Sequence, residues 1–190
     1  MTSMATRMYG SQELLRQLQN PTQREEAFRR LMQQYGHSLY WHIRRLVVGR
    51  EDAEDVLQET CIKVLGAIDS FRGDANTLVP WLYQIATREA LQWLRRSTHL
   101  FQSIDALGEK LIEKLWAENG QSADEAELLL QEAILKLPTT QRMVFNMRYY
   151  DGLTYEQMAL VTGKKVGTLK TNFHYASERV REYLKENIKQ

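Results

Sequence analysis

Asp151-Gly-Leu-Thr-Tyr-Glu-Gln-Met-Ala159-Leu-Val-Thr-Gly163-Lys-Lys-Val166-Gly-Thr-Leu169 is the stretch whose reading decides the fold. Its skeleton, Ala159-x3-Gly163-x5-Leu169, has the spacing of a helix-turn-helix. A small Ala lets two helices cross closely, Gly supplies the turn, and an aliphatic residue anchors the second helix. Thr154-x-x-Gln157 is a capping-box pattern for the short first helix, and a long last helix is expected over about 166–187. Val166, Leu169, Phe173, Ala176, Val180 and Leu184 form its buried stripe. Steps of about 100° put Thr171, His174, Tyr175 and Glu178 on the opposite face, with Lys170 on the flank. Lys164 and Lys165 stand at its N-terminal end, where ammonium groups and helix dipole both favour phosphate. This pattern predicts a duplex-DNA-facing surface. The same spacing also fits a small helical hairpin with a solvated face, and His174 alone also fits an idle surface histidine.

Working back toward the N-terminus, Asp151-Gly152 closes a helix that Pro138 opens and that runs to Tyr150. Helical periodicity dominates further upstream and β-branched alternation is nearly absent, so the chain reads as all-α. Ala27, Phe28, Leu31, Met32, Tyr35, Leu39, Ile43, Leu46 and Val47 mark one amphipathic helix, ended by Gly49. A second begins near Asp52 and buries Ala53, Val56, Leu57, Thr60, Val64, Leu65 and Ile68. Phe71-Arg72-Gly73-Asp74 breaks the pattern, and Leu78, Trp81, Leu82, Ile85, Ala86 and Trp93 resume it up to Arg95-Arg96. Periodicity weakens after Thr98, although Leu107, Leu111, Ile112, Leu115 and Trp116 allow a short helix. The expected organisation is two small helical domains, residues 1–97 and 124–190, joined by an acidic, partly helical linker at 98–123.

Charge supports that division. The net charge of +1 is a cancellation: residues 1–100 carry 13 Lys/Arg against 11 Asp/Glu, 101–135 carry 2 against 8, and 136–190 carry 10 against 5. A 43% hydrophobic content is enough for a buried core. The single cysteine, Cys61, excludes an internal disulfide and a thiolate metal cluster, and at a half-buried helix position it reads as packing. No cluster has metal-ligand spacing, no glycine-rich phosphate loop occurs, and no nucleophile–base pair stands out. The expectation is a cytoplasmic protein without membrane insertion, metal or cofactor, acting by binding rather than as an enzyme.

Two further surfaces stand out. On the helix from Asp52, the outward face carries Asp55, Gln58, Glu59 and Ile62. An apolar residue among exposed acids suggests a partner surface, with a merely solvated face as the other reading. The next segment combines aromatics with arginines, as single-stranded DNA requires. Trp81 and Trp93 fall on the apolar stripe and read as core, which leaves Phe71 and Arg72 as the loop contacts. Gln84, Arg88, Leu91 and Arg95 share one strip of the following helix.

Together these motifs resemble a family. Asp52-Ala-Glu-Asp-Val-Leu-Gln-Glu-Thr-Cys-Ile-Lys-Val, Ser70-Phe-Arg-Gly-Asp and Trp81-Leu-Tyr-Gln-Ile-Ala resemble the sigma-two domain of extracytoplasmic-function sigma factors. Leu137-Pro138, Asp151-Gly-Leu-Thr-Tyr-Glu-Gln-Met-Ala and Val166-Gly-Thr-Leu-Lys-Thr resemble their sigma-four domain. The likeness spans about 25–97 and 124–184. It implies a bacterial initiation factor for core RNA polymerase, with promoter DNA and an anti-sigma factor as further partners. By that resemblance Asp55, Gln58, Glu59 and Ile62 dock on the clamp coiled coil of the β′ subunit, with the β flap as a second polymerase contact. The loop from Phe71 to Pro80 and the helix after it, with Phe71, Arg72, Asn76, Arg88 and Arg95, take the melted minus-ten element. Lys164, Lys165, Lys170, Thr171, His174 and Tyr175 read the minus-thirty-five duplex. Where some relatives carry several arginines, Lys170-Thr-Asn-Phe-His-Tyr implies a different minus-thirty-five sequence or more shape readout. Asn76 and Thr77 also differ from several family loops. A stand-alone helix-turn-helix regulator and a polymerase-binding inhibitor are the rival readings.

Overall fold

A computed structural model describes residues 4–101, 104–119 and 124–187, with side chains described for 12–97, 108–118 and 124–187. The described residues form nine α-helices and no strand: α1 (Met4–Gln19), α2 (Arg24–Val47), α3 (Arg50–Ala67), α4 (Ala75–Phe101), α5 (Ile104–Asn119), α6 (Glu125–Leu135), α7 (Thr139–Tyr149), α8 (Tyr155–Thr162) and α9 (Val166–Asn187), with a 3-10 turn at Ile68–Ser70. Helices α1 to α4 make the first unit and α6 to α9 the second.

In the first unit α2, α3 and α4 pack as expected, around Leu31, Leu39, Ile43, Val56, Val64, Leu78 and Leu82. A fourth helix joins them. Leu14, Leu15 and Leu18 on α1 enter the same core, and Gln19 at its end donates to the Phe71 carbonyl at 2.9 Å. The α2–α3 corner differs from the expected glycine stop. Helix α2 ends at Val47, and Val48 takes φ 67° and ψ −47°, closed by a Gly49 N–H to Val47 carbonyl bond of 2.8 Å. That is a γ-turn on a β-branched residue, an uncommon and strained conformation. Gly49 beside it leaves room for an ion pair, since a Cβ there would lie 2.0 Å from Asp52 Oδ2 and 2.2 Å from Lys114 Nζ and would displace those side-chain ends. Leu65, expected to be buried, is exposed on α3 next to Ile62.

The loop after α3 is shorter than expected. Helix α4 begins at Ala75, so Asn76 and Thr77 lie in its first turn and Pro80 in its second. Asp74 caps that turn, its Oδ1 accepting from the backbone N–H of Asn76 and of Thr77 at 3.0 Å each. The Thr77 hydroxyl also donates to Oδ1, at 2.9 Å, and this bond foremost, with the backbone ones, holds the Asp74 carboxyl below the ordinary range.

The segment between the units is more helical and better packed than a linker. Leu111 and Leu115 of α5 share a cluster with Val48, Leu94, Leu128 and Leu135. Lys114 pairs with Asp52 at 2.7 Å, Glu118 with Arg44 at 2.7 Å, and Trp116 Nε1 donates to Glu132 at 2.9 Å. The second unit has its own core of Ala133, Ile134, Leu137, Phe145, Ala176 and Val180. Yet Met143, Val144, Met147, Leu153, Met158, Val161 and Leu169 belong to the core cluster of the first unit. The two units therefore share one apolar interior.

Candidate nucleic-acid interface

The helix-turn-helix forms for the reasons its residues suggest. Thr154 and Gln157 make a reciprocal capping box: Gln157 N–H donates to Thr154 Oγ1 at 3.2 Å, and Thr154 N–H donates to Gln157 Oε1 at 2.9 Å. Gly163 closes α8 in the left-handed region at φ 69°, where a Cβ would be strained. Leu169 and Ala176 are fully buried and anchor α9. The face opposite them is bare. Lys165, Lys170, Thr171, His174 and Tyr175 are all exposed, whereas Lys164 is half-buried at the turn. Thr171 Oγ1 donates to the Gly167 carbonyl at 3.1 Å, so its oxygen keeps its acceptor capacity. Asn172 is turned along the helix, donating to the Thr168 carbonyl at 2.8 Å.

Two residues missed in the sequence adjoin this face. The Tyr155 ring has the Arg148 guanidinium 5.2 Å and the Lys170 ammonium 5.7 Å from its centroid. Glu156 feels both cations, and its carboxyl is held below the ordinary range, mainly by backbone and Thr154 hydrogen bonds. Arg148 lies outside the helix-turn-helix spacing, and only the fold brings it beside Lys170.

The minus-ten candidates divide. Arg88 and Arg95 are exposed along α4, and Asn76 is exposed in its first turn. Arg72 folds over its own loop and donates to the Asp69 carbonyl at 2.6 Å. Phe71, expected on the open loop, is buried at 9% exposure, its ring centroid 4.7 Å from that of Trp81. Gly73 lets the loop close over it, since a Cβ there would stand 2.4 Å from Phe71 Cζ. Gln84, on the same strip as Arg88, donates to the Leu160 carbonyl of α8 at 3.1 Å.

On α3, Asp55, Gln58, Glu59 and Ile62 form one exposed strip, opposite the buried Ala53, Val56, Thr60 and Val64. Ile62 is 57% exposed, and Leu65 continues the strip at 37%. In the second unit Leu130, Phe145, Tyr149, Phe173, Val180 and Leu184 line an apolar groove of about 570 Å³ edged by Arg181 and Lys185. Among the described residues no helix is long and apolar enough to cross a membrane.

The fold and the bare face of α9 define a helix-turn-helix DNA-binding protein with a second helical unit ahead of it. Family models agree: Sigma-70 region 2 matches residues 31–99 and Sigma-70, region 4 matches 127–180. The ECF RNA polymerase sigma-E factor of Escherichia coli K12 is 33% identical over 167 residues, covering 82% of this chain and 85% of the relative. The RNA polymerase sigma-H factor of Pseudomonas aeruginosa is 31% identical over 192 aligned residues, covering 94% and 96%. Among solved structures, CnrH in complex with the cytosolic domain of CnrY gives a TM-score of 0.68 at 20% identity, covering 93% of this chain and 98% of that one. The sigma factor RpoE of Bartonella quintana, in complex with the anti-sigma factor NepR, gives 0.65 at 22% identity, covering 84% and 98%. These two likenesses concern the fold. The chain belongs to the extracytoplasmic-function family of RNA polymerase sigma factors and is a transcription initiation factor that directs the polymerase to promoters.

Proposed function

We propose that the chain divides its work among four surfaces. Asp55, Gln58, Glu59 and Ile62, extended by Leu65, dock on the β′ clamp coiled coil. The apolar groove between α7 and α9 takes the β flap, its volume suited to a few aliphatic side chains. Lys164, Lys165, Lys170, Thr171, His174 and Tyr175 read the minus-thirty-five element as duplex, joined by Arg148 as a phosphate contact. Asn76, Arg72, Arg88 and Arg95 engage the minus-ten element, and Phe71 reaches a flipped base only if its loop swings off Trp81. Nothing in this scheme requires the chain to do chemistry; phosphoryl transfer stays with the polymerase, and the factor supplies binding energy for unstacking bases.

The observation that carries the reading is α9: one stripe sits in the core while the opposite face holds the exposed hydrogen-bonding side chains of Lys170, Thr171, His174 and Tyr175. Relatives with this fold occur with CnrY and with NepR. This supports an anti-sigma partner that competes with polymerase for the exposed strip on α3 and the apolar groove between α7 and α9. The action is cytoplasmic, where polymerase and promoter are.

Run-off transcription with purified core polymerase tests the assignment. Promoter-dependent transcripts are expected from the native chain. They should disappear with the Asp55→Lys, Glu59→Lys variant, together with co-purification of β′, while the helical circular dichroism stays native. Unchanged β′ co-purification would reject the docking strip.

A further inference from the structure

The two units are fastened by a buried polar contact. His42 on α2 is 0% exposed. Its Nδ1 lies 2.6 Å from Asp151 Oδ2, in the turn between α7 and α8, and its Nε2 lies 2.9 Å from Thr87 Oγ1 on α4. With the carboxylate accepting from Nδ1–H, Nε2 is left to accept from the Thr87 hydroxyl, so both ring nitrogens are satisfied. Arg45 donates to the other Asp151 oxygen at 3.4 Å and lies 4.1 Å over the Tyr150 ring. Tyr83 closes the site edge-on to His42 at 5.0 Å. An Asp151 side chain only 3% exposed is thus held entirely by residues of the other unit.

The same seam also carries costs. A cavity of about 410 Å³ opens beside it, lined by Trp41, Arg45, Val48, Leu115, Asn146 and Tyr150 among others. Asn146 is 1% exposed, and its amide faces this cavity with no protein partner among the described residues. Val48, on the cavity wall, is kept in its strained turn by the packing of α5 and α6.

Reach makes the seam matter. Sites named for positions ten and thirty-five are about 25 base pairs apart, roughly 85 Å of duplex at about 3.4 Å per pair. A compact chain of this length is only about 40 Å across. In this arrangement α8 also lies on α4 at Gln84, beside the arginine strip.

We propose that His42, Thr87 and Asp151, clamped by Arg45, are a latch that holds the two units in a closed arrangement unable to span both promoter elements. Polymerase binding competes with that latch, and the strained Val48 turn is relieved when it opens. This rests on the proposed division of promoter reading between the units.

The test uses the full chain. Asp151→Ala should raise the radius of gyration by small-angle scattering and speed hydrogen exchange at the seam, on α2 and α7, while α3 and α9 keep native protection. If polymerase competes with the latch as proposed, the apparent affinity of this variant for core polymerase should rise, up to about tenfold. Native compactness and exchange in the variant would overturn the latch. Opening without any gain in core affinity would overturn its competition with polymerase. If Asp151→Ala loses its helical content, the isosteric Asp151→Asn replaces it, with a smaller expansion expected and no expansion counting against the proposal. Scattering and exchange are read without polymerase or DNA, so an error in the docking or promoter assignments would appear separately, as a native chain that fails to bind core.

Discussion

Glu132 ties three helices with one carboxylate. It accepts from Trp116 Nε1 of α5 at 2.9 Å and from the Tyr183 hydroxyl of α9 at 2.7 Å, and pairs with Lys136 at 3.4 Å. Burial alone would raise its carboxyl pKa, but the Tyr183, Trp116 and Lys136 bonds outweigh burial and hold it below the ordinary 4.5. A depressed folded value means stability that is present above the unfolded pKa and is lost as pH falls through the folded one. Glu132→Gln should therefore cost roughly 1–2 kcal/mol at neutral pH and less in acid, as urea midpoints at the two pH values would record. An equal loss at both would assign the effect to shape rather than charge. On α9, Lys170→Ala and Thr171→Ala should each reduce discrimination between the true and a scrambled minus-thirty-five duplex by about 1–3 kcal/mol where they touch a base. Equal loss on both duplexes would make the residue a phosphate contact. These positions were legible because helical period separates the two faces of a helix. Phe71 was not legible, because a loop residue has no period to reveal that Gly73 folds it back onto Trp81.

At the scale of elements, α8 depends on its two ends. Thr154→Ala removes the acceptor for the Gln157 N–H and should cost about 1 kcal/mol. Gly163→Ala meets no atom within 4 Å, so its cost, again about 1 kcal/mol, is backbone strain at positive φ alone. Thermal midpoints should fall for both; a Gly163→Ala chain as stable as the native one would mean the turn relaxes out of the left-handed region. Both caps were plain in the sequence because capping is local chemistry. Helices α1 and α5 were read poorly for the opposite reason. Leu14, Leu15 and Leu18 sit in a Gln-rich run with no cap pattern. The acidic accumulation around α5 reads as solvated linker until Lys114, Trp116 and Glu118 are seen to find partners on α3, α6 and α2. The start of α4 at Ala75 was obscured by Pro80, which an early helical turn tolerates better than a helix centre does.

For the molecule as a whole, the division into two units was legible and their union was not. His42 and Asp151 are 109 residues apart, and no local pattern announces a contact at that separation. The consequence is thermodynamic. Leu169 and Met158 of the second unit lie in the same buried cluster as Leu31 and Leu82 of the first, so the free chain should unfold as one cooperative body. Its four tryptophans, at 41, 81, 93 and 116, all lie in the first unit and α5, whereas helical circular dichroism reports on both units. The two probes should give superimposable urea curves. Leu169→Ala removes a fully buried side chain and should cost roughly 2–5 kcal/mol. It should move the tryptophan curve as well as the dichroism curve, although no tryptophan is in its unit. Asp151→Ala, by unfastening the seam, should instead pull the curves apart. A Leu169→Ala chain whose tryptophan transition stays at the native midpoint would show that the shared interior is contact without coupling, and that the two units fold independently.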